Sequence, residues 1–149
     1  MTTLDVTALR ESFELVAERA PNLTHRFYEI LFDRHPEVRP LFGSAMARQE
    51  QMLTRALVAV IEHLENPTWL GDSLRALGAK HVDYGVTEEM YPWVGEALLA
   101  TLAEVAGSDW SPRLERAWTD AYGAIASLMM EGARSAPATV TASRSRPAA

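Results

Sequence analysis

From Val6 to Met130 the apolar residues recur every three or four positions, and no stretch alternates apolar with polar as a half-buried strand must. That regularity removes sheet, sandwich and barrel architectures and leaves an all-α chain of six to seven helices. Proline and glycine mark the breaks. A first helix over 6–20 places Leu9, Phe13, Val16 and Ala20 on one face, with Asp5 positioned to cap it. "APN" (20–22) interrupts it, and Asn22 is positioned to cap a second helix bearing Leu23, Phe27, Ile30 and Leu31. His35-Pro36 ends that helix, because the residue before a proline disfavours the helical region. Pro36 then opens a short turn closed by Gly43.

Ser44 is expected to open a long helix to about 64, with Leu53, Leu57, Val60 and Leu64 inward, before "ENP" (65–67) stops it. The next helix runs from about Thr68 to Gly85, where a glycine suits a left-handed cap. Thr87, Glu88 and Glu89 mark a further start, the acids favouring the positive helix end; Tyr91, Val94, Leu98 and Val105 align behind them. Ser111-Pro112 opens the last helix, with Leu114, Trp118, Tyr122, Ile125 and Met129 as its buried side. The expected organisation is one domain over residues 1–133 and a disordered tail over 134–149, "RSAPATVTASRSRPAA", which is small, polar and proline-bearing.

Net charge is −6, and the tail masks part of it: its Arg134, Arg144 and Arg146 leave 11 of the 14 basic residues against 20 acids in residues 1–133, a net −9. An acidic body repels phosphate backbones, so no nucleic-acid partner is expected. The chain has no cysteine, which excludes disulfides, thiolate metal sites and cysteine nucleophiles. "ALVAVI" (56–61), the longest apolar run, falls far short of the roughly 20 residues of a membrane span. The start, "MTTLDVTALRESF", lacks a basic segment followed by an apolar one, so no secretory signal and no membrane association are expected, and the expected setting is cytoplasmic.

Among four histidines, none forms a His-Glu-x-x-His pair, so a helical zinc site is unsupported. His35 beside a proline and His25 three residues before Tyr28 read as surface groups. His63 follows Gln49 by 14 residues, about 21 Å along a helix axis, too far to share one small site with it. His81 differs. Leu70, Leu74, Leu77 and His81 follow spacings of four, three and four, so an imidazole completes a leucine face. By itself that pattern fits either a hydrogen-bonded core histidine or a ligand.

The segments "FYEILFDRHPEVRPLF" (27–42), "LGAKHVDYGV" (77–86), "YPWVGEALL" (91–99) and "AWTDAYGAIASLMM" (117–130) decide between them, because the chain resembles bacterial single-domain haemoglobins, the haem domains of flavohaemoglobins and neuroglobin-like globins in these segments and in their order, over about residues 5–132. The resemblance implies the three-over-three globin fold enclosing one haem b (iron protoporphyrin IX). It implies that His81 is the axial iron ligand, with its other ring nitrogen donating to a backbone carbonyl, for which Leu77 one turn earlier is the candidate. It implies that Phe42 packs on the porphyrin, that Tyr28 and Gln49 donate hydrogen bonds to a bound gas, and that Leu53 and Leu57 lie over that gas. Leu74, Leu77, Val86, Val94 and Met129 are implied as proximal walls, and Tyr91 as the tyrosine that supports the proximal histidine.

The function so implied is reversible binding of dioxygen, nitric oxide and carbon monoxide at ferrous iron, for oxygen binding, delivery or sensing. The alternative is a nitric oxide dioxygenase forming nitrate with a separate reductase as electron donor, since no Gly-x-Gly-x-x-Gly follows a strand here. A haem-free helical module is a third reading. One departure from the family bears on the enzyme: the supporting glutamate position falls on Ala133, and Glu131, two residues earlier, is turned about 200° away on a helix. A monomer or homodimer is expected, with Trp69 and Trp93 as candidates for a shared face and packing within the fold as the other place for Trp93.

Overall fold

The computed structural model describes residues 4–135. Its elements are α1 (Val6–Arg19), α2 (Leu23–Arg34), a 3-10 turn (Pro36–Leu41), α3 (Met46–Glu62), α4 (Pro67–Asp83), α5 (Met90–Ala106), a short 3-10 turn (Gly107–Asp109) and α6 (Pro112–Ser135). The breaks fall where proline and glycine place them. Asp5 Oδ1 accepts from the Ala8 amide at 3.1 Å, and Asn66 caps α4 by accepting from the Trp69 amide at 3.1 Å. The Leu114 amide donates to Ser111 Oγ at 3.3 Å, as the Ser-Pro start requires. Two starts differ from expectation. Residues 43–45 are spent turning out of the 3-10 segment, so α3 begins at Met46 rather than at Ser44. Thr87 opens a hydrogen-bonded turn ahead of α5 rather than the helix itself, its carbonyl accepting from Met90 at 3.1 Å.

α4 packs along α6, α2 crosses α5, and α1 lies on α6 and α5. At the centre Leu9 and Val16 of α1, Leu31 of α2, and Thr101 and Leu102 of α5 are fully buried. The buried Trp118 indole donates to Ser12 Oγ at 2.8 Å, and that hydroxyl donates to the Ala8 carbonyl at 2.6 Å, so the α1–α6 contact leaves no indole N–H unpaired.

α3 is the exception to the packing pattern: none of its residues is buried. Leu53, Leu57 and Val60, expected inward, are half-buried, and of the expected set only Leu64, past the helix end, is buried. α3 touches α2 and, less, α1, which leaves much of its apolar face without a covering helix. Trp69 and Trp93 do not form a shared exposed face; each is half-buried and stacked on an imidazole, Trp69 on His63 at 3.7 Å and Trp93 on His35 at 4.7 Å.

The helix α6 extends through Arg134 and Ser135, the first two residues of the expected tail, and Arg134 chelates Glu88 with bonds of 2.7 and 2.8 Å. The rest of that tail, 136–149, lies outside the described residues. No described helix is long and apolar enough to cross a membrane.

Candidate haem site

His81 sits in the last turn of α4, and the helix ends immediately beyond it in a Schellman motif. The Val86 amide reaches back to the His81 carbonyl at 3.1 Å and the Gly85 amide to the Val82 carbonyl at 3.0 Å. Gly85 takes φ +88°, a conformation that costs an L side chain strain and glycine nothing. His81 Nδ1 lies 2.8 Å from the Leu77 carbonyl oxygen, the acceptor expected from the sequence. A carbonyl can only accept, so Nδ1 carries the proton and Nε2 presents a lone pair. No described residue hydrogen-bonds that Nε2. Burial pushes the imidazole below its usual pKa, with the Leu77 contact opposing, so the ring is neutral at neutral pH.

What places α4 is its seam with α6. A Cβ on Gly78 would fall 1.8 Å from the Met129 carbonyl oxygen, and one on Gly132 would fall 1.9 Å from the Arg75 carbonyl oxygen. Two glycines therefore let the helix backbones touch, and Arg75 Nε closes the same seam by donating to Glu131 at 2.6 Å. His81 is one turn beyond Gly78, so its height over the core is fixed by this contact. The sequence reading passed over both glycines. The available signal was Gly71 and Gly78 seven residues apart in a helix, where each costs about 1 kcal/mol against alanine unless packing needs it.

Tyr28 and Gln49 come together across the α2–α3 contact. The Tyr28 ring is buried on α2, and Gln49 Nε2 of α3 donates to its hydroxyl oxygen at 3.1 Å. The Tyr28 O–H proton has no acceptor among the described residues. Burial pushes the phenol above its usual pKa despite the amide, so it stays a donor throughout the physiological range. Phe42, the residue closing the 3-10 turn, meets the Tyr28 ring edge-on at 5.4 Å and Phe32 at 5.4 Å, which fixes the phenol's plane.

The core divides into two clusters, and the implied pocket residues are shared between them. Tyr28, Phe42, Leu53 and Val94 belong to the larger; Leu74, Leu77, Val86, Tyr91 and Met129 belong to the smaller. Val60 and Tyr122 touch both. Val94, implied as a proximal wall, packs with the larger cluster because α5 carries it toward α2. Leu57 is half-buried and packs with neither. Tyr91 is buried, and Tyr122 donates to its carbonyl at 2.7 Å; Gly95 admits that ring, since a Cβ there would lie 2.6 Å from it. The Tyr91 hydroxyl has no hydrogen-bond partner among the described residues, and Glu131 is held at the surface by Arg75.

These residues fit an iron porphyrin. A neutral imidazole offers one uncommitted nitrogen, a buried phenol offers one uncommitted proton, and an apolar helix face stands uncovered beside them. No described group of three histidines, aspartates or glutamates competes as a metal site.

The globin family model matches residues 25–129. Among curated proteins, the flavohemoprotein of Rhodopirellula baltica is 35% identical over 133 residues, 86% of this chain and 33% of its own length. That of Rhizobium meliloti is 36% identical over 118 residues, 77% of this chain and 29% of its own. The chain thus spans about a third of the length of these relatives. Among solved structures, a carbene transferase engineered from a Rhodothermus marinus protein described as a nitric oxide dioxygenase superposes with a TM-score of 0.77 at 31% identity, covering 92% of this chain and 93% of that one. A Campylobacter jejuni globin superposes with a TM-score of 0.74 at 26% identity, covering 87% and 94%. With the matched segment containing Tyr28, Gln49 and His81 together, the chain belongs to the globin family.

Proposed function

We propose that the chain binds one haem b through His81 and uses it to bind dioxygen and other diatomic gases reversibly. The observation that carries this is the His81 ring: a neutral imidazole, its Nδ1 committed to Leu77 and its Nε2 free, on an apolar helix face. Haem, when bound, supplies a ferrous iron that takes a diatomic gas and passes electron density to it. The chain does the rest. His81 would hold the haem iron through Nε2, and its Nδ1 bond to Leu77 fixes the tautomer and raises the basicity of that nitrogen. Leu53, Leu77, Val86 and Met129 exclude water. Tyr28 would offer its unshared proton to a bound gas, while Gln49 holds the phenol oxygen and adds polarity.

Replacing Tyr28 by phenylalanine is expected to speed dioxygen release about tenfold to a hundredfold, the equivalent of one charge-assisted hydrogen bond of about 1.5–3 kcal/mol. Stopped-flow displacement by carbon monoxide measures it. An unchanged rate would mean the phenol does not face the ligand.

A second reading is nitric oxide dioxygenation, with electrons from a reductase. The Tyr28–Gln49 pair and the likeness to flavohemoproteins favour it. Against it, Glu131 is engaged by Arg75 and Ala133 stands at the family's glutamate position, so no α6 carboxylate is in place to support His81 through Tyr91. The gas-binding reading predicts that the oxygenated protein, mixed with a flavin reductase and nitric oxide, turns over slowly. Sustained, rapid conversion to nitrate would establish the enzyme.

A further inference from the structure

Gln49 is set on Tyr28 by a helix with no fully buried residue: Met46, Leu53 and Val60 pack only at the edge of the core, and polar contacts add to their hold. The polar contacts between α2 and α3 concentrate at the adjacent residue, Glu50. Its backbone carbonyl accepts from Thr24 Oγ1 of α2 at 3.1 Å and from Thr54 Oγ1 at 2.9 Å. Its side-chain Oε2 meets His25 Nδ1 of α2 at 2.9 Å, and the other ring nitrogen faces Glu29 at 3.4 Å. Thr24 and His25 are the turn of α2 immediately before Tyr28. The same short segment of α2 thus carries the phenol and grips the residue beside the glutamine.

We propose that Glu50 is a positioning residue for the Tyr28–Gln49 pair and that His25 makes this grip pH-dependent: protonated, it clamps the Gln49 turn of α3 to α2; neutral, it lets that turn open. The charges around His25 agree in sign. Glu29 on its own helix and Glu50 from α3 both face it. Arg26 shares Glu29 at 3.3 Å but is chiefly engaged with Glu104 of α5 at 2.6 Å. Glu50, the largest influence, and Glu29 push the His25 pKa above 6.5. Folding therefore favours the protonated ring. The clamp is complete below pH 6.5 and is lost as pH rises through the higher folded value. Half of the His25 side chain is solvent-exposed, so the effect is that of a screened pair.

The clamp is a property of the α2–α3 contact; its consequence for a bound gas rests on the haem reading above. That consequence is a dioxygen release rate rising about twofold to fivefold between low and high pH, the span a partly exposed ion pair supports. The direct test follows the Gln49 side-chain amide by NMR in the full chain from about pH 5.5 to 9. The clamp predicts that the amide signal moves with the midpoint of the His25 ring in the unmodified protein. It predicts no such movement in His25→Gln or Glu50→Gln, an unaltered one in His35→Gln, and a signal held at its low-pH position in His25→Lys, where the charge is permanent. A flat Gln49 amide while His25 titrates, or a titrating one in His25→Gln, would overturn the proposal. Failure of the haem reading shows separately, as a chain that takes up no haem whatever the Gln49 amide does.

Discussion

Gly78→Ala is expected to destabilise the protein by about 3 kcal/mol or more, at the upper end of what an overpacked core costs. The added Cβ would meet a backbone carbonyl oxygen, that of Met129, at 1.8 Å, and no rotamer change relieves a clash with a main chain. The loss comes despite the roughly 1 kcal/mol that alanine gains over glycine inside a helix. α4 must lift from α6, and His81, one turn beyond, lifts with it, so this overpacking substitution is also expected to weaken haem retention. Gly132→Ala meets the Arg75 carbonyl at 1.9 Å and should behave alike. Gly123 is the control: it lies on the same α6, exposed, and a Cβ there meets nothing within 4 Å. Gly123→Ala is therefore expected to stabilise by about 0.5–1 kcal/mol. Denaturation midpoints of the three variants check the opposite signs; equal effects at 78 and 123 would show that the α4–α6 seam yields.

His81→Gly is expected to lower haem affinity more than about a hundredfold, beyond what loss of a hydrogen bond supporting a ligand gives. No other imidazole substitutes. His25 and His35 are engaged by glutamates, and His63 is stacked on Trp69 with its Nδ1 on the Ala59 carbonyl. Imidazole added to the solution should restore binding to His81→Gly, because the walls of Leu74, Leu77 and Met129 remain. Restoration distinguishes a lost ligand from a collapsed helix end.

Helix limits could be read from the sequence because the stops are covalent facts: His35-Pro36, "ENP" and Gly85 act wherever the rest of the chain lies. His81 was legible as a polar residue completing a leucine face, although only the resemblance turned that into a ligand. The face of α3 misled because periodicity identifies an apolar side without saying what it meets. Leu53, Leu57 and Val60 are only half-buried, because α2 and α1 cover part of that face and no helix covers the rest. The Gly78–Gly132 approach and the His25–Glu50 contact stayed hidden for another reason. Each joins residues on separate helices, 54 and 25 positions apart, and no local pattern couples them. The packing of Val94 with the larger cluster was hidden likewise, since α5 meets both α2 and α6.

Haem ligation by His81 is tested by the visible absorption spectrum of the purified protein, ferric, reduced and carbon-monoxide-treated, recorded beside that of His81→Gly. The unmodified protein is expected to show an intense Soret band that shifts with carbon monoxide, and the variant to lose it until imidazole is added. A colourless protein after reconstitution with haem, or a spectrum that His81→Gly leaves unchanged, would contradict it.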